Sequence, residues 1–360
     1  MTMLALGLMS GTSLDGVDAA LVATDGVTVE RTGAALTRPY DDGLRARLRS
    51  VLGGIGPVAE VEAEMTRFHA RVVDDLVAAA GLERAAVDVI GFHGHTILHR
   101  PERRRTWQIG DGALLAHLTG IPVVNDFRAN DVLAGGQGAP LVPVFHRALA
   151  AAGLRGHGAL AVLNLGGVGN VTWIGADDGL LAFDTGPGNA LIDDWALAHT
   201  GCPVDQGGAL AAAGRVHADR VADFAAHPYF EQRPPKSLDR DDFQTLARRL
   251  TADLSAADGA ATLTAFTARA VARAAEHFPS PAGRWLVCGG GRHNPVLMAA
   301  LAAELAVPVQ PVETIGWDGD ALEAQAFAYL AVRSLRGLPL TFPETTGAPR
   351  ALGGGRFHPR

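Results

Sequence analysis

Residues 4–24 read LALGLMSGTSLDGVDAALVAT. Two apolar, strand-like runs flank a loop of mostly small and polar residues: Gly11, Thr12, Ser13, Leu14, Asp15, Gly16, Val17 and Asp18. Glycines leave the backbone N–H groups of such a loop uncovered. A turn pinned between two strands can then present those groups to an anion such as phosphate. A plain tight hairpin with no ligand is the other reading of the same residues.

Gly11 and Gly16 have the GxxxxG spacing of a P-loop, yet Val17 and Asp18 stand where Lys and Ser/Thr are required. The lysine that reaches the β- and γ-phosphates is missing, and a carboxylate stands near its place. GVDAALVAT and the following VTVERTGAAL (27–36) are strand-like, whereas a Walker loop needs a helix N-terminus behind it. The loop is a hairpin turn, not a P-loop.

At 360 residues the chain is long enough for two cores. It is 48% apolar without an 18-residue apolar run, which predicts a soluble enzyme and no membrane partner. The first residues lack the basic-then-apolar pattern of a signal peptide, so a cytoplasmic protein is expected. A net charge of −7 with no basic run argues against nucleic acid as a partner. Cys202 and Cys288 are too far apart to make a metal site and read as cytosolic thiols.

VEAEMTRFHARVVDDLVAAAGL (61–82) carries a helical apolar stripe that Gly81 ends. VDVIGFHGHTIL (87–98) reads as a buried strand running into a polar loop. DGALLAHLTG (111–120) is a short helix between Asp111 and Gly120, and IPVVNDF (121–127) is a strand. The second half opens in the same way, with two strands around a Gly-rich turn in ALAVLNLGGVGNVTWIG (159–175). The strand LLAFD follows, then a sharp turn through Gly186, Pro187 and Gly188 into a helix. Segments 207–227 and 258–278 read as long helices, 284–305 as strand, Gly turn and helix, and 319–337 as a last helix. The acid pairs Asp41–Asp42 and Asp74–Asp75 are expected on solvated faces.

Two halves with matching hairpins suggest a duplicated α/β, two-lobed, actin-like ATPase (ribonuclease H-like) fold with an ATP cleft between lobes. The boundaries expected are 1–145, 146–336 and an extended C-terminal segment 337–360.

The chain resembles the anhydro-N-acetylmuramic acid kinase family through motifs spread over almost its whole length. These are GLMSGTSLDGVDAAL (7–21), GFHGHT (91–96), WQIGDGALLA (107–116), VVNDFRANDVLAGGQGAPLVPVFH (123–146) and LNLGGVGNVT (163–172). FDTGPGN (183–189), PPKSLDRDDF (234–243), VCGGGRHNP (287–295), GDALEAQAFA (319–328) and TTGAPRALGGGRFHP (345–359) complete the set. His95 stands where the family more often has Gln, and PPKSLDR replaces a more usual PPKSTGR. Both departures bear on substrate-side contacts. The resemblance implies that ATP and water convert 1,6-anhydro-N-acetylmuramic acid to N-acetylmuramic acid 6-phosphate. It implies ATP and Mg²⁺ as cofactors, places the reaction in peptidoglycan recycling, and leaves a homodimer open.

An anhydro sugar has no free 6-hydroxyl, so no nucleophile for the γ-phosphate exists until the C1–O6 bond breaks. Water attacking C1 needs a general base, for which Asp184 is the candidate, at the end of an apolar strand before a turn. Capping the next helix, or holding Mg²⁺ through water, are its alternatives. By resemblance, His95, Thr96, Arg128 and Glu323 contact the sugar. Arg128 suits a lactyl carboxylate or a structural salt bridge, and Glu323 is otherwise an exposed helical carboxylate. Gly11 to Asp18 line the phosphates, with Asp15 or Asp18 ordering Mg²⁺-bound water. Gly166, Gly167 and Gly169 form a second phosphate turn, and Gly289, Gly290, Gly291 and Asn294 let adenosine approach the backbone.

His93, His95 and His99 form HxHxxxH, in which His93 and His95 share a face if the strand is regular. Without an HxxEH motif or a Cys cluster, the sequence assigns no protein-held metal site. A conventional sugar kinase of the same fold and a non-metabolic ATPase of that fold are the rival functions.

Overall fold

The computed structural model describes residues 1–360 apart from Thr12, Arg155 and His157. It contains two units, Met1–Leu154 with Asp320–Arg360, and Arg155–Gly319. In the first unit, β1 (Met3–Ser10) and β2 (Gly16–Thr24) form the expected antiparallel hairpin, pairing Leu6 with Leu21 and Met9 with Asp18. β3 (Val29–Pro39) pairs antiparallel with β2, while β4 (Val89–Arg100) and β6 (Val123–Asn125) continue the sheet in parallel on the side of β1. β5 (Arg105–Ile109) folds back on the far half of β4, and β12 (Arg356–His358) pairs with β6 at the sheet edge.

The second unit repeats this order. β7 (Leu160–Leu165), β8 (Val168–Ile174) and β9 (Leu180–Pro187) are antiparallel, and β10 (Trp285–Cys288) and β11 (Val309–Pro311) extend β7 in parallel. The orders β3-β2-β1-β4-β6 and β9-β8-β7-β10-β11 are one topology used twice. The chain therefore has the duplicated α/β fold that its paired hairpins suggest.

Strand alternation explains which helix covers which face of the first sheet. Leu6, Leu8, Val17, Ala19, Leu21, Ile90 and Phe92 point into one core, with Val61, Met65, Val72 and Leu76 of the Val58–Ala79 helix. Gly7, Gly91 and Ala20 occupy the opposite face, where the Leu322–Leu335 helix lies directly on β1, β2 and β4. The approach is backbone to backbone. A Cβ on Gly7 would lie 1.8 Å from the Ala324 carbonyl oxygen, and one on Gly91 would lie 2.0 Å from that of Phe327.

Sequence order places residues 319–336 with the second half, but Leu322–Leu335 packs in the first unit because small residues there leave a seat for it. The tail is also more than an extended segment, since it carries the Pro343–Thr346 helical turn and β12. β4 does not give way to a loop but continues to Arg100 because β5 pairs with it. The segment 207–227 is broken into Ala209–Ala212 and Ala218–Ala225. A Cβ at Gly214 between them would lie 2.0 Å from the Ala257 carbonyl oxygen, so the chain there meets another helix end-on. A further helix, Asp42–Ser50, follows β3, capped by the Asp41 carboxylate on the Leu44 N–H at 2.8 Å. Asp41 and Asp42 are exposed as expected, and Asp74 and Asp75 pair on the surface with Arg84 and Arg38. Among the described residues, no helix is long and apolar enough to cross a membrane.

Gly91→Ala should cost roughly 2–4 kcal/mol of unfolding free energy in urea titrations, because the helix must lift off β4. Gly53→Ala, at φ +83° with nothing within 4 Å of the new Cβ, should cost only about 1 kcal/mol. Equal losses for the two variants would contradict this packing.

Candidate active site

In each unit the sequence-predicted residues collect at the carboxyl ends of the parallel strands, where open α/β sheets bind ligands. In the first unit the β1–β2 turn is held from behind. Leu14 takes φ +60°, its N–H donates to the Gly11 carbonyl at 3.2 Å, and its own carbonyl accepts from Arg45 Nε at 3.0 Å. The Tyr40 N–H donates to the Asp15 carbonyl at 3.0 Å, and the Tyr40 hydroxyl donates to Ser10 Oγ at 2.8 Å. Ser13 Oγ donates to the Asp15 carboxylate at 2.7 Å, and Asp18 accepts from Thr37 at 2.6 Å. The side chains of Leu14 and Val17 are buried in the core, which leaves their backbone as the part able to meet a ligand. Gly16 is needed for β3, since a Cβ there would lie 2.3 Å from the Arg38 carbonyl oxygen. Thr12 lies outside the described residues.

Beyond β1, the register of β4 slips between Phe92 and His95, where Gly94 has φ +74°. The strand is therefore not regular, and the two histidines have separate surroundings. His95 Nδ1 lies 3.1 Å from Ser10 Oγ. His93 packs its ring on Phe327 and is bonded through both nitrogens: Nδ1 to the Gly94 carbonyl at 2.9 Å, and Nε2 to Arg128 Nε and Nη2 at 3.1 and 3.0 Å. His93 is thus a neutral acceptor that sets a guanidinium, a role the metal motif concealed. His99 Nδ1 meets Thr106 Oγ1 at 3.0 Å.

Arg128 also donates to the Gly138 carbonyl at 2.7 Å. Burial lowers its pKa to about 10, while the charges of Glu323 and Asp131 act the other way. Glu323, in the first turn of the Leu322–Leu335 helix, is half-buried, and burial pushes its carboxyl upward against the pull of Arg128. It is not an exposed helical carboxylate. Thr96 accepts from Gln108 Nε2 at 3.2 Å.

In the second unit Asp184 lies within β9, opposite Asn170 of β8. Its N–H donates to the Lys236 carbonyl at 2.9 Å, its carbonyl accepts from the Tyr229 hydroxyl at 2.6 Å, and its Oδ2 accepts from the Leu238 N–H at 2.9 Å. Burial raises its pKa to about 7, the Leu238 N–H opposes that rise, and the Asp239 charge adds to it. A carboxyl that titrates near neutrality suits a general base. It does not cap the Ala190–Thr200 helix, whose N-cap is Asn189.

The Gly166–Gly167 turn gives its carbonyls to the N–H groups of Gly188, Asn189 and Ala190 at 2.7–3.2 Å. Gly169 is required by Thr185, whose Oγ1 would be 2.6 Å from a Cβ at that position. Gly289 and Gly291 similarly let the exit of β10 press on Asn164 and Leu165. Gly290, Gly291 and Asn294 line a pocket of about 250 Å³ together with Asn189, Asp193 and Gln206. Gly289 is not among its lining residues. Asn294 caps the Pro295–Leu305 helix through Oδ1. Burial raises Asp193 to about 6, and the neighbouring Asp194 charge adds to that. A larger opening of about 620 Å³ near Ala222, Ala265, Arg269 and Arg273 contains none of the predicted residues.

The sequence points to none of Arg45, Tyr40 or the pocket residues from 204 to 207, and it weighs His93 only as part of HxHxxxH, not as a partner of Arg128.

His69 and His95 are fully buried, and burial holds both at about 4, below the ordinary 6.5. A folded pKa below the unfolded one gives stability that is complete above pH 6.5 and is lost as pH falls toward 4. Each such histidine should add a slope approaching about 1.4 kcal/mol per pH unit across that window. His95→Gln should flatten the fall of the urea midpoint between pH 6.5 and 4.5 by one histidine's share. Parallel curves for parent and variant would contradict the burial of a neutral ring.

The family model described as "Anhydro-N-acetylmuramic acid kinase" matches residues 3–360. A curated relative of that name from Paramagnetospirillum magneticum is 68% identical over 99% of this chain and 99% of its own. Another from Rhodospirillum rubrum is 56% identical over 99% of this chain and 94% of its own. Among solved structures, component A of (R)-2-hydroxyglutaryl-CoA dehydratase from Acidaminococcus fermentans is similar at 13% identity and a TM-score of 0.49, over 92% of this chain and 99% of that one. The chain belongs to the anhydro-N-acetylmuramic acid kinase family.

Proposed function

We propose that this chain is an ATP-dependent kinase that opens 1,6-anhydro-N-acetylmuramic acid with water and phosphorylates O6 in the same reaction. The observation that carries the mechanism is Asp184, a carboxyl raised to about 7 and held by a single backbone N–H in a strand end beside a glycine turn. Asp184 takes a proton from the water that attacks C1. The water oxygen becomes the C1 hydroxyl, and the C1–O6 electron pair passes to O6. O6 bonds to the γ-phosphorus as the bond to ADP breaks. Such a transfer asks mainly for positioning and charge neutralisation.

Arg128, preset by His93 and Gly138, receives the lactyl carboxylate in this reading, while Glu323, His95 and Thr96 face the sugar. The turn from Gly11 to Asp18 and the turn from Gly166 to Gly169 serve the phosphates. The pocket at Gly290, Gly291 and Asn294 takes adenosine; its volume is near the low end of small-molecule sites, roughly 300 Å³ upward. The exposed Asp15 carboxylate and Asp18 beside it are hard oxygen donors that fit Mg²⁺ held through water. The ion would neutralise phosphate charge there. The product belongs to recycling of cell-wall peptidoglycan, a cytoplasmic process in this reading.

Release of ADP on the anhydro sugar tests the assignment. Asp184→Asn should lower kcat by about a thousandfold or more. In the parent, kcat/KM should rise with pH through about 7, because the base must be ionised. Asp239→Asn should move that limb down, since it removes a charge that disfavours the carboxylate. A limb that stays in place in Asp239→Asn, or an active Asp184→Asn, would count against Asp184 as the base.

A further inference from the structure

Lys236 is the buried lysine next to Asp184, only 8% exposed. Its Nζ donates to the Tyr229 carbonyl at 2.9 Å and toward that of Phe230 at 3.4 Å, and it sits 4.5 Å above the Tyr229 ring. The Tyr229 hydroxyl in turn donates to the Asp184 carbonyl. The Asp184 N–H returns to the Lys236 carbonyl, and two residues on the Leu238 N–H reaches the Asp184 carboxylate. These bonds close a ring around Asp184. At its far end the segment is tied by Arg240 to Asp194 at 2.7 Å.

A buried ammonium costs more than an apolar side chain of the same length. Methionine would fill the space and could not reach two carbonyls, so this lysine is explained by direction rather than by volume. We propose that Lys236 is a positioning residue for the reaction: its ammonium fixes the 236–238 segment so that the Leu238 N–H stays on the Asp184 carboxylate. The inference rests on the reading of Asp184 as the base. The charged and titratable groups around the pair are Tyr229 and Asp239 beside Asp184, Asp242 near Tyr229, and Glu231, Arg273 and His277 beside Lys236, with His277 Nε2 3.5 Å from the ammonium.

The test uses the full-length enzyme labelled with carboxyl-¹³C aspartate, with Asp184→Asn identifying the resonance. The Leu238 N–H favours the ionised carboxylate, so Lys236→Met should move the Asp184 titration up by about one pH unit. It should lower kcat about fivefold at pH 7 through the lost ionised fraction, with the deficit closing by about pH 9. KM for ATP should stay within about twofold, and Lys236→Arg should recover most of the activity. An Asp184 titration left in place by Lys236→Met overturns the proposal, as does a deficit equal at every pH. A titration that moves while kcat holds keeps the grip on Asp184 and instead overturns its role as base. If Lys236→Met does not fold, Leu238→Pro deletes the donor itself and reads the same titration.

Discussion

The setting of the Asp184 carboxylate depends on one hydrogen bond, from the Leu238 N–H, acting against the burial that raises its pKa. Raising Asp184 from 3.8 to about 7 amounts to roughly 4 kcal/mol of preference for the acid form. Without the N–H the preference would be larger, and the group would be a poor base at neutral pH. With more donors or more water it would be an ordinary aspartate with little affinity for the proton. Because the folded pKa lies above the unfolded one, the fold loses stability as pH rises from 3.8 toward 7. That cost falls on the ionised state, the one the proposed base role requires. The core around Phe183, Trp173 and Trp285 has to offset it.

The first unit meets a different constraint. Its last helix can reach β1 and β4 only because Gly7 and Gly91 present bare backbone. That docking brings Glu323 within electrostatic reach of Arg128. Arg128 is then set by a neutral imidazole rather than by a carboxylate. His93 uses one nitrogen on Gly94 and the other on the guanidinium, so the positive charge is oriented without being neutralised by its clamp. An arginine kept in that condition retains its positive charge.

The hairpins, the repeated strand order and the place of Asp184 in a strand before a glycine turn were legible because each rests on local pattern: alternating apolar runs, a glycine turn, a carboxylate after an apolar run. The seat of the last helix was not, because a glycine in a strand reads as a weak strand position until the partner pressed against it is known. β5 was hidden for a similar reason, since RTWQI gains its strand character from pairing with β4. HxH spacing puts His93 and His95 on one face only of a regular strand, and Gly94 at φ +74° breaks that alternation. Leu238 acts through its backbone N–H, and Lys236 through an ammonium whose carbonyl partners only the fold brings to it. A substitution such as Leu238 for the family's more usual Thr therefore leaves the bond to Asp184 intact. The charge of Asp239 changes the setting of that carboxylate, which the sequence alone placed only in a substrate-side loop.

The most direct measurement is one short incubation with Mg·ATP, 1,6-anhydro-N-acetylmuramic acid and ¹⁸O-water, stopped before the anomeric oxygen exchanges and read by mass spectrometry. The account predicts a sugar 6-phosphate carrying ¹⁸O at C1 and unlabelled oxygen at C6. Label in released phosphate with the anhydro sugar unchanged, or turnover only of free N-acetylmuramic acid, would contradict it.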